Sequence, residues 1–298
     1  MAEITLLDGS IGQEVVKRSG DRATPLWSTA VMVDRPEVVG GIHADYFAAG
    51  ATIATTNTYA VLRDRLQRAG LEDHFKELLN KATAQAAAAR DAHGSGRIAA
   101  ALGPLIASYR PDICPPAEEA KLAYAELVKL LGPQSDLFLI ETVSSLEHAK
   151  GALLGCAEAD NPVWLAVSVS DEDGTVLRSG EPLAALAPLI EKFQPDAVLL
   201  NCSRPEVIGE GLNIVRGFGK PFGAFANGFT RISEGFLQDA PTVDALEQRQ
   251  DLGPEPYAEF AMGWVAQGAT IVGGCCEVGP EHIAELARQL RAAGHRIV

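Results

Sequence analysis

Short apolar runs, each followed by a stretch with helical spacing, punctuate the whole chain, and this rhythm limits the possible folds more than any other feature. The runs fall at residues 3–7, 52–56, 97–102, 137–140, 163–169, 197–200, 222–226 and 270–272. Some, such as Leu137-Phe138-Leu139-Ile140, are apolar at every position. A strand without a polar face has to be covered on both sides, which is the condition of a parallel sheet flanked by helices. The intervening stretches supply those helices. Between Pro36 and Gly50, the residues Val39, Ile42 and Tyr46 share one face, with Asp34 as the expected cap, Glu37 three positions later and Gly50 as the stop. Ser144 with Glu147 predicts a similar capping box. Pro280 opens the last helix, Ile283, Leu286 and Leu290 line one face, and Gly294 ends it. The alanine-rich residues 82–89 read as a helix lying against the sheet. Eight strand-then-helix units in 298 residues predict an α/β fold, a (β/α)8 TIM barrel forming a single domain over residues 1–298. A doubly wound open sheet is the competing architecture.

A chain of this length buries roughly 75% of its unfolded surface, so it needs no disulfide or metal to fold. Its formal charge of −14 repels phosphate backbones and anionic lipid, which excludes nucleic acid and membrane surfaces as expected partners. No run approaches the ~20 apolar residues of a membrane span. Met1-Ala2-Glu3-Ile4 does not begin a basic segment followed by an apolar core, so no signal peptide is expected. A cytoplasmic location follows, where thiols stay reduced. Nothing in the sequence sets the oligomeric state. The polar residues 228–253 form a long connection with the length of a lid or a loosely ordered loop.

The chemically distinctive residues stand just after the predicted strands: Asp8-Gly9, Asn57-Thr58-Tyr59, Gly103-Pro104, Glu141-Thr142, Asn201-Cys202, Asn227-Gly228 and Gly273-Gly274-Cys275-Cys276. In a barrel these positions converge on one face, the face that carries active sites. Five cysteines, an odd and low number, do not make a disulfide scaffold. Neighbouring residues have α-carbons ~3.8 Å apart, closer than the ~4.4–6.8 Å of an ordinary disulfide, so Cys275 and Cys276 are not expected to bond to each other. On a glycine-loosened turn they can instead face one metal ion, with Cys202 as a third thiolate. Three protein ligands and one open position is the arrangement of a catalytic zinc. The plainer reading is three small buried residues, and it stands for Cys114 and Cys156, which follow no strand. Glu141 suits an ammonium group, or equally a helix N-terminus. Asp8 suits a substrate or an ordinary turn. Trp27 and Tyr59 are candidates for the pocket or for the core. No histidine spacing of a zinc hydrolase is present.

Taken together, these motifs resemble the homocysteine S-methyltransferase family. The resemblance runs from Leu6-Leu7-Asp8-Gly9-Ser10-Ile11-Gly12 through Leu26-Trp27-Ser28, His43-Ala44-Asp45-Tyr46, Thr55-Thr56-Asn57-Thr58-Tyr59, Gly103-Pro104, Glu141-Thr142 and Asn201-Cys202. It closes at Gly273-Gly274-Cys275-Cys276 and Pro280-Glu281-His282-Ile283. It implies a (β/α)8 barrel, Zn2+ held by Cys202, Cys275 and Cys276, the homocysteine amino group on Glu141, and the Asp8-Gly9 turn beside the amino-acid end of that substrate. The expected reaction is methyl transfer from a sulfonium or quaternary ammonium donor (S-methylmethionine, S-adenosylmethionine or betaine) to the homocysteine thiol, giving methionine. Trp27 and Tyr59 would form an aromatic wall for the donor cation. The segments Gly103-Pro104-Leu105-Ile106-Ala107-Ser108-Tyr109-Arg110-Pro111-Asp112 and Phe225-Ala226-Asn227-Gly228-Phe229 depart from the pattern of family members that use S-methylmethionine. The chain also lacks the length of the folate and cobalamin modules of the large methionine synthases. The expected partners are therefore small-molecule substrates alone. A zinc- or thiol-sensing barrel without turnover and a zinc hydrolase are the alternative classes.

Overall fold

A computed structural model describes residues 1–20, 28–232, 237 and 247–298. Among the described residues nine parallel strands follow in order: β1 (Glu3–Leu6), β2 (Ile53–Thr55), β3 (Arg97–Leu102), β4 (Leu137–Val143), β5 (Val163–Val167), β6 (Ala197–Asn201), β7 (Phe222–Phe225), β8 (Ile271–Val272) and β9 (Arg296–Ile297). Strands β2 to β8 lie side by side in chain order, and β1 pairs with β8. A parallel bridge from Leu7 to Ile53, with Thr52 N donating to Leu6 O at 2.7 Å, joins β1 to β2 and closes the ring. The fold is the expected (β/α)8 barrel in one domain. No helix among the described residues is long and apolar enough to cross a membrane.

The helices are α1 (Ile11–Ser19), α2 (Thr29–Asp34), α3 (Pro36–Ala49), α4 (Arg63–Arg68), α5 (Phe75–His93), α6 (Ala117–Leu131), α7 (Leu146–Gly155), α8 (Ala187–Phe193), α9 (Pro205–Val215), α10 (Pro254–Ala266) and α11 (Pro280–Ala292). Two apolar layers follow from strand alternation. The interior layer takes side chains from around the whole ring, among them Leu7, Ile53, Ala99, Leu139, Trp164, Leu199, Phe225 and Ile271. The outer layer packs the opposite strand faces against the helices, including Ile283, Leu286 and Leu290 of α11. Ala82, Ala86 and Ala89 of α5 are buried, as the alanine-rich stretch predicts.

The structure corrects three local expectations. Asp34 does not cap α3; it is the last residue of the short helix α2, and Arg35 occupies the cap position without a side-chain bond. The cap of α7 is Ser145, one residue later than expected, and its hydroxyl accepts from His148 N at 3.1 Å. The reason is that β4 runs on to Val143 through an irregularity between Ile140 and Val143, which pushes the helix start along the chain. Glu147 consequently turns away and accepts from Ala117 N at 2.7 Å. Strand β9 was not foreseen. It pairs Glu3 with Arg296 and Ile4 with Ile297, and Thr52 Oγ1 donates to Val298 O at 2.7 Å, so it fills the seam beneath the β1–β2 junction.

Candidate functional site

The strand ends bring Asp8, Gly9, Tyr59, Glu141, Cys202, Cys275 and Cys276 to the wall of one pocket. Trp27 lies outside the described residues, as do 233–236 and 238–246 of the long connection. The described base of that connection is a hairpin: Phe229 bridges to Gln248, Thr230 N donates to Glu247 O at 2.9 Å, and Arg249 N donates to Gly228 O at 2.8 Å.

One end of the pocket is built from carboxylates. Asp8 is buried and accepts from Thr55 N at 2.6 Å and from Thr55 Oγ1 at 2.7 Å. Burial pushes its carboxyl up to about 7 against the opposing pull of those Thr55 bonds. Glu141 sits on the β4 irregularity, also buried, and is pushed up to about 8, first by burial and then by the nearby charge of Asp8. Two desolvated carboxyl groups that repel each other constitute a site for a cation. The turn beside them admits only glycine at position 9. A Cβ there would lie 2.1 Å from Val278 O and 2.8 Å from the Tyr46 hydroxyl.

The other end is built from sulfur. The Gly273-Gly274-Cys275-Cys276 turn is tied to its neighbours through the backbone. Gly274 N donates to Asp8 O at 2.9 Å, Cys275 N to Ala226 O at 2.9 Å, and Gly228 N to Cys276 O at 2.8 Å. The Tyr257 hydroxyl, from α10, donates to Gly273 O at 2.6 Å and supports the turn from behind. Strand β6 delivers Cys202 from the far side of β7 with φ +46°, a left-handed conformation that a residue other than glycine adopts only under constraint. The three sulfurs lie within 4.8 Å of one another.

Cys202 and Cys275 are joined as a disulfide, with Cα atoms 5.7 Å apart. The ends of β6 and β8 lie on either side of β7, which brings the two residues together. Cys276 keeps a free thiol, with its Sγ 4.0 Å from that of Cys275. The adjacent cysteines are not bonded to each other, in line with their backbone spacing. A sulfur pair joined to itself and a pair bound to one metal are alternative states of the same residues. The donor set fits a metal ion: sulfurs at ~2.3 Å from a tetrahedral zinc stand ~3.8 Å apart, close to the Cys275–Cys276 separation. Burial pushes the Cys276 thiol up to about 12, with the Gln13 amide pulling the other way.

Asn201 links the two ends. Its Oδ1 accepts from Thr142 N at 3.0 Å, and its Nδ2 donates to Thr142 Oγ1 at 3.3 Å. Thr142 follows Glu141 and Asn201 precedes Cys202, so a single carboxamide fixes the backbone beside both chemistries. Thr142, like Cys202, has a positive φ, +60°.

Sequence reasoning named neither Gln13 nor Tyr109 as site residues. Both line the pocket. Tyr109 is buried among Cys202, Cys276 and Phe229, with the Arg178 guanidinium 5.1 Å from its ring. Tyr59 donates to or accepts from Ser108 at 2.6 Å, has the Arg65 guanidinium 5.5 Å from its ring, and is pushed up to about 12 by burial. An aromatic residue in a loop that follows a strand was the available signal for Tyr109.

Comparison with known proteins agrees with this geometry. The homocysteine S-methyltransferase family model matches residues 5–290. The chain is 26% identical to the homocysteine S-methyltransferase YbgG of Bacillus subtilis, over 97% of this chain and 95% of that protein. The crystal structure of the homocysteine methyltransferase MmuM from Escherichia coli in its metallated form superposes with a TM-score of 0.81 at 26% identity, covering 96% of each chain. The oxidised form of the same protein superposes with a TM-score of 0.80 at 26% identity, again covering 96% of each chain. The chain belongs to the homocysteine S-methyltransferase family, and its reaction is the transfer of a methyl group to homocysteine.

Proposed function

We propose that this barrel transfers a methyl group from a sulfonium or quaternary ammonium donor to homocysteine at a zinc ion held by Cys202, Cys275 and Cys276, with the whole chain forming the homocysteine-binding domain. The observation that carries the reading is the convergence of three cysteine sulfurs within 4.8 Å in the same pocket as two buried carboxylates. Bound zinc supplies a Lewis acid that keeps the substrate sulfur in its thiolate form at neutral pH.

The chain's own residues do the rest. Glu141 receives the substrate ammonium, and Asp8 shares that charge while Thr55 holds its carboxylate in place. An ammonium between them offsets the burial that raises both carboxyl groups and the Asp8 charge that raises Glu141 further. Gly9 lets the substrate backbone approach the turn. With the amino-acid end fixed at one side of the pocket, the thiol is directed to the other, where the cysteines stand. The tyrosines at 59 and 109, and Trp27, provide aromatic surface for a donor that carries a positive charge. The segments 103–112 and 227–253 set which donor is accepted. A thiolate-dependent site of this kind belongs in a reducing compartment, the cytoplasm.

The test is a donor screen under reducing conditions. Protein supplied with homocysteine and, in turn, S-methylmethionine, S-adenosylmethionine and betaine is expected to form methionine with at least one of them and to contain one zinc per chain. A zinc content near zero that added zinc cannot restore defeats the metal assignment. Zinc with no methionine from any donor defeats the donor class.

A further inference from the structure

Helix α4 carries three arginines, and one of them is buried. Arg63 lies toward the surface, where Glu126 accepts from its Nε and from a terminal nitrogen at 2.7 Å each. Arg65 is only 9% exposed, and among the described residues no carboxylate stands within ion-pair distance of it. One of its terminal nitrogens donates to Pro104 O at 2.9 Å, and its buried Nε has no hydrogen-bond partner among the described residues. A charge taken out of water is ordinarily paired, because its desolvation is costly. Here the described residues answer it with one carbonyl oxygen and with the ring of Tyr59, 5.5 Å from the guanidinium.

Tyr59 lines the pocket. Burial pushes its hydroxyl up to about 12, and the charge of Arg65 is the largest influence in the opposite direction, so the guanidinium is felt at the pocket wall. The other pocket tyrosine differs. Tyr109 also has a guanidinium near its ring, that of Arg178, but Arg178 is paired with Asp171. Tyr109 therefore stands beside a neutral pair and Tyr59 beside a net positive charge.

We infer that the methyl donor is a zwitterion and that Arg65 is the positioning residue that orients it, drawing the donor's carboxylate toward Tyr59 and leaving its methyl-bearing cation to face the cysteines. The inference rests on the donor class proposed above. S-methylmethionine, S-adenosylmethionine and betaine each carry a carboxylate besides the onium centre, and that shared anion is the counter-charge Arg65 lacks. A methyl group is attacked in line only when the donor enters the right way round, and a charge already fixed in the wall sorts the two orientations without reorganising.

The test pairs each donor with its decarboxylated analogue: (3-aminopropyl)dimethylsulfonium for S-methylmethionine, decarboxylated S-adenosylmethionine, and tetramethylammonium for betaine. Methionine formation is followed in wild-type protein, in Arg65→Met, and in Arg65→Gln, which keeps an N–H for Pro104 O while removing the charge. Wild-type protein should favour the intact donor in kcat/KM by about ten- to thirtyfold, the worth of a unit-charge attraction across about 8–12 Å at an effective dielectric constant near 20. In both variants that ratio should fall to near one through a higher KM for the intact donor, with the analogue little changed and homocysteine binding unaltered. A residue that merely anchored Pro104 would depress both members of a pair alike, and that result overturns the inference. So does a wild-type protein that makes methionine from an intact donor and its analogue equally well, which leaves the donor class standing. No methionine from any intact donor overturns the donor class and this inference with it. Should Arg65→Met fail to fold, Arg65→Gln decides the question by the same ratio.

Discussion

The carboxylate end and the sulfur end of the pocket are held in opposite ways. Asp8 is gripped through its own carboxylate oxygens, both of them bonded to Thr55. The cysteines are gripped through their backbone, with Gly274 N and Cys275 N donating to Asp8 O and Ala226 O and Cys276 O accepting from Gly228 N, and their sulfurs cluster together. The difference follows from what each end has to do. A carboxylate that meets a substrate cation has to be aimed beforehand, because it forms directional bonds. Sulfurs that share a metal must be free to settle at bonding distance from it, so the protein fixes the chain and leaves the thiols to adjust.

The contrast can be broken at several points. The largest effect is expected at the sulfur end. Cys202→Ala, Cys275→Ala and Cys276→Ala should each reduce both zinc content and methyl transfer to background. The far-ultraviolet circular dichroism should be retained, because the barrel has a core of its own. Loss of the fold in these variants would make the cysteines structural.

At the carboxylate end, Glu141→Gln keeps the shape and removes the charge. Homocysteine binding measured by calorimetry should weaken about 10–100-fold, the worth of a charge-assisted bond of about 1.5–3 kcal/mol, with zinc content unchanged. A parallel loss of zinc would erase the distinction between the two ends.

The same end makes binding and stability respond oppositely to pH. Asp8 and Glu141 are raised from 3.8 to about 7 and from 4.5 to about 8 in the folded protein. The folded state therefore holds protons that the unfolded chain releases. Their stabilising contribution is complete below the unfolded values and is lost as pH rises through about 7 and about 8. The melting temperature of substrate-free protein should fall across that window, less steeply in Glu141→Gln. Homocysteine affinity should instead fall as pH drops below about 7, by up to about tenfold per unit. A melting temperature that rises across the window would contradict both assignments.

Asn201→Ala tests whether the ends are mechanically joined. It strands the buried Thr142 N–H, at a cost of about 1–3 kcal/mol in stability, and it should lower homocysteine and zinc affinity together by a few-fold. An effect confined to one ligand would mean that Asn201 serves only that end. The smallest change is expected from Tyr109→Leu, which removes an aromatic face worth about 0.5–2 kcal/mol to a cation. Steady-state kinetics should show a higher KM for the methyl donor with homocysteine binding unaltered.

What the sequence disclosed divides along physical lines. Fully apolar runs such as 137–140 have no alternative to a covered strand, and the residues that follow them had to meet at one face. Asp8, Glu141 and the three cysteines were readable for that reason. Boundaries set by tertiary packing were not. Ser145, rather than Ser144, caps α7 because β4 carries an irregularity that no local pattern announces. Strand β9 spans only Arg296–Ile297, too short for any periodicity, and exists because a seam below β1 and β2 needs filling. Gln13 was not legible because a glutamine in the first turn of a helix looks like surface, and only the three-dimensional neighbourhood shows it lining the pocket.

That short strand β9 bears on where the barrel tolerates alteration. Glu3 and Arg296 are partners in adjacent strands and are linked by an ion pair, so residues separated by nearly the whole barrel in sequence are neighbours in space. They meet at the start of the strands, while the pocket opens beyond their finish. A cut or insertion at an exposed helix–strand turn on the same side, such as Gly94, would likewise lie a full barrel length from the chemistry. Removing the last few residues is the less forgiving change, because it would uncover the edges of Ile4 and Thr52 that those residues now satisfy.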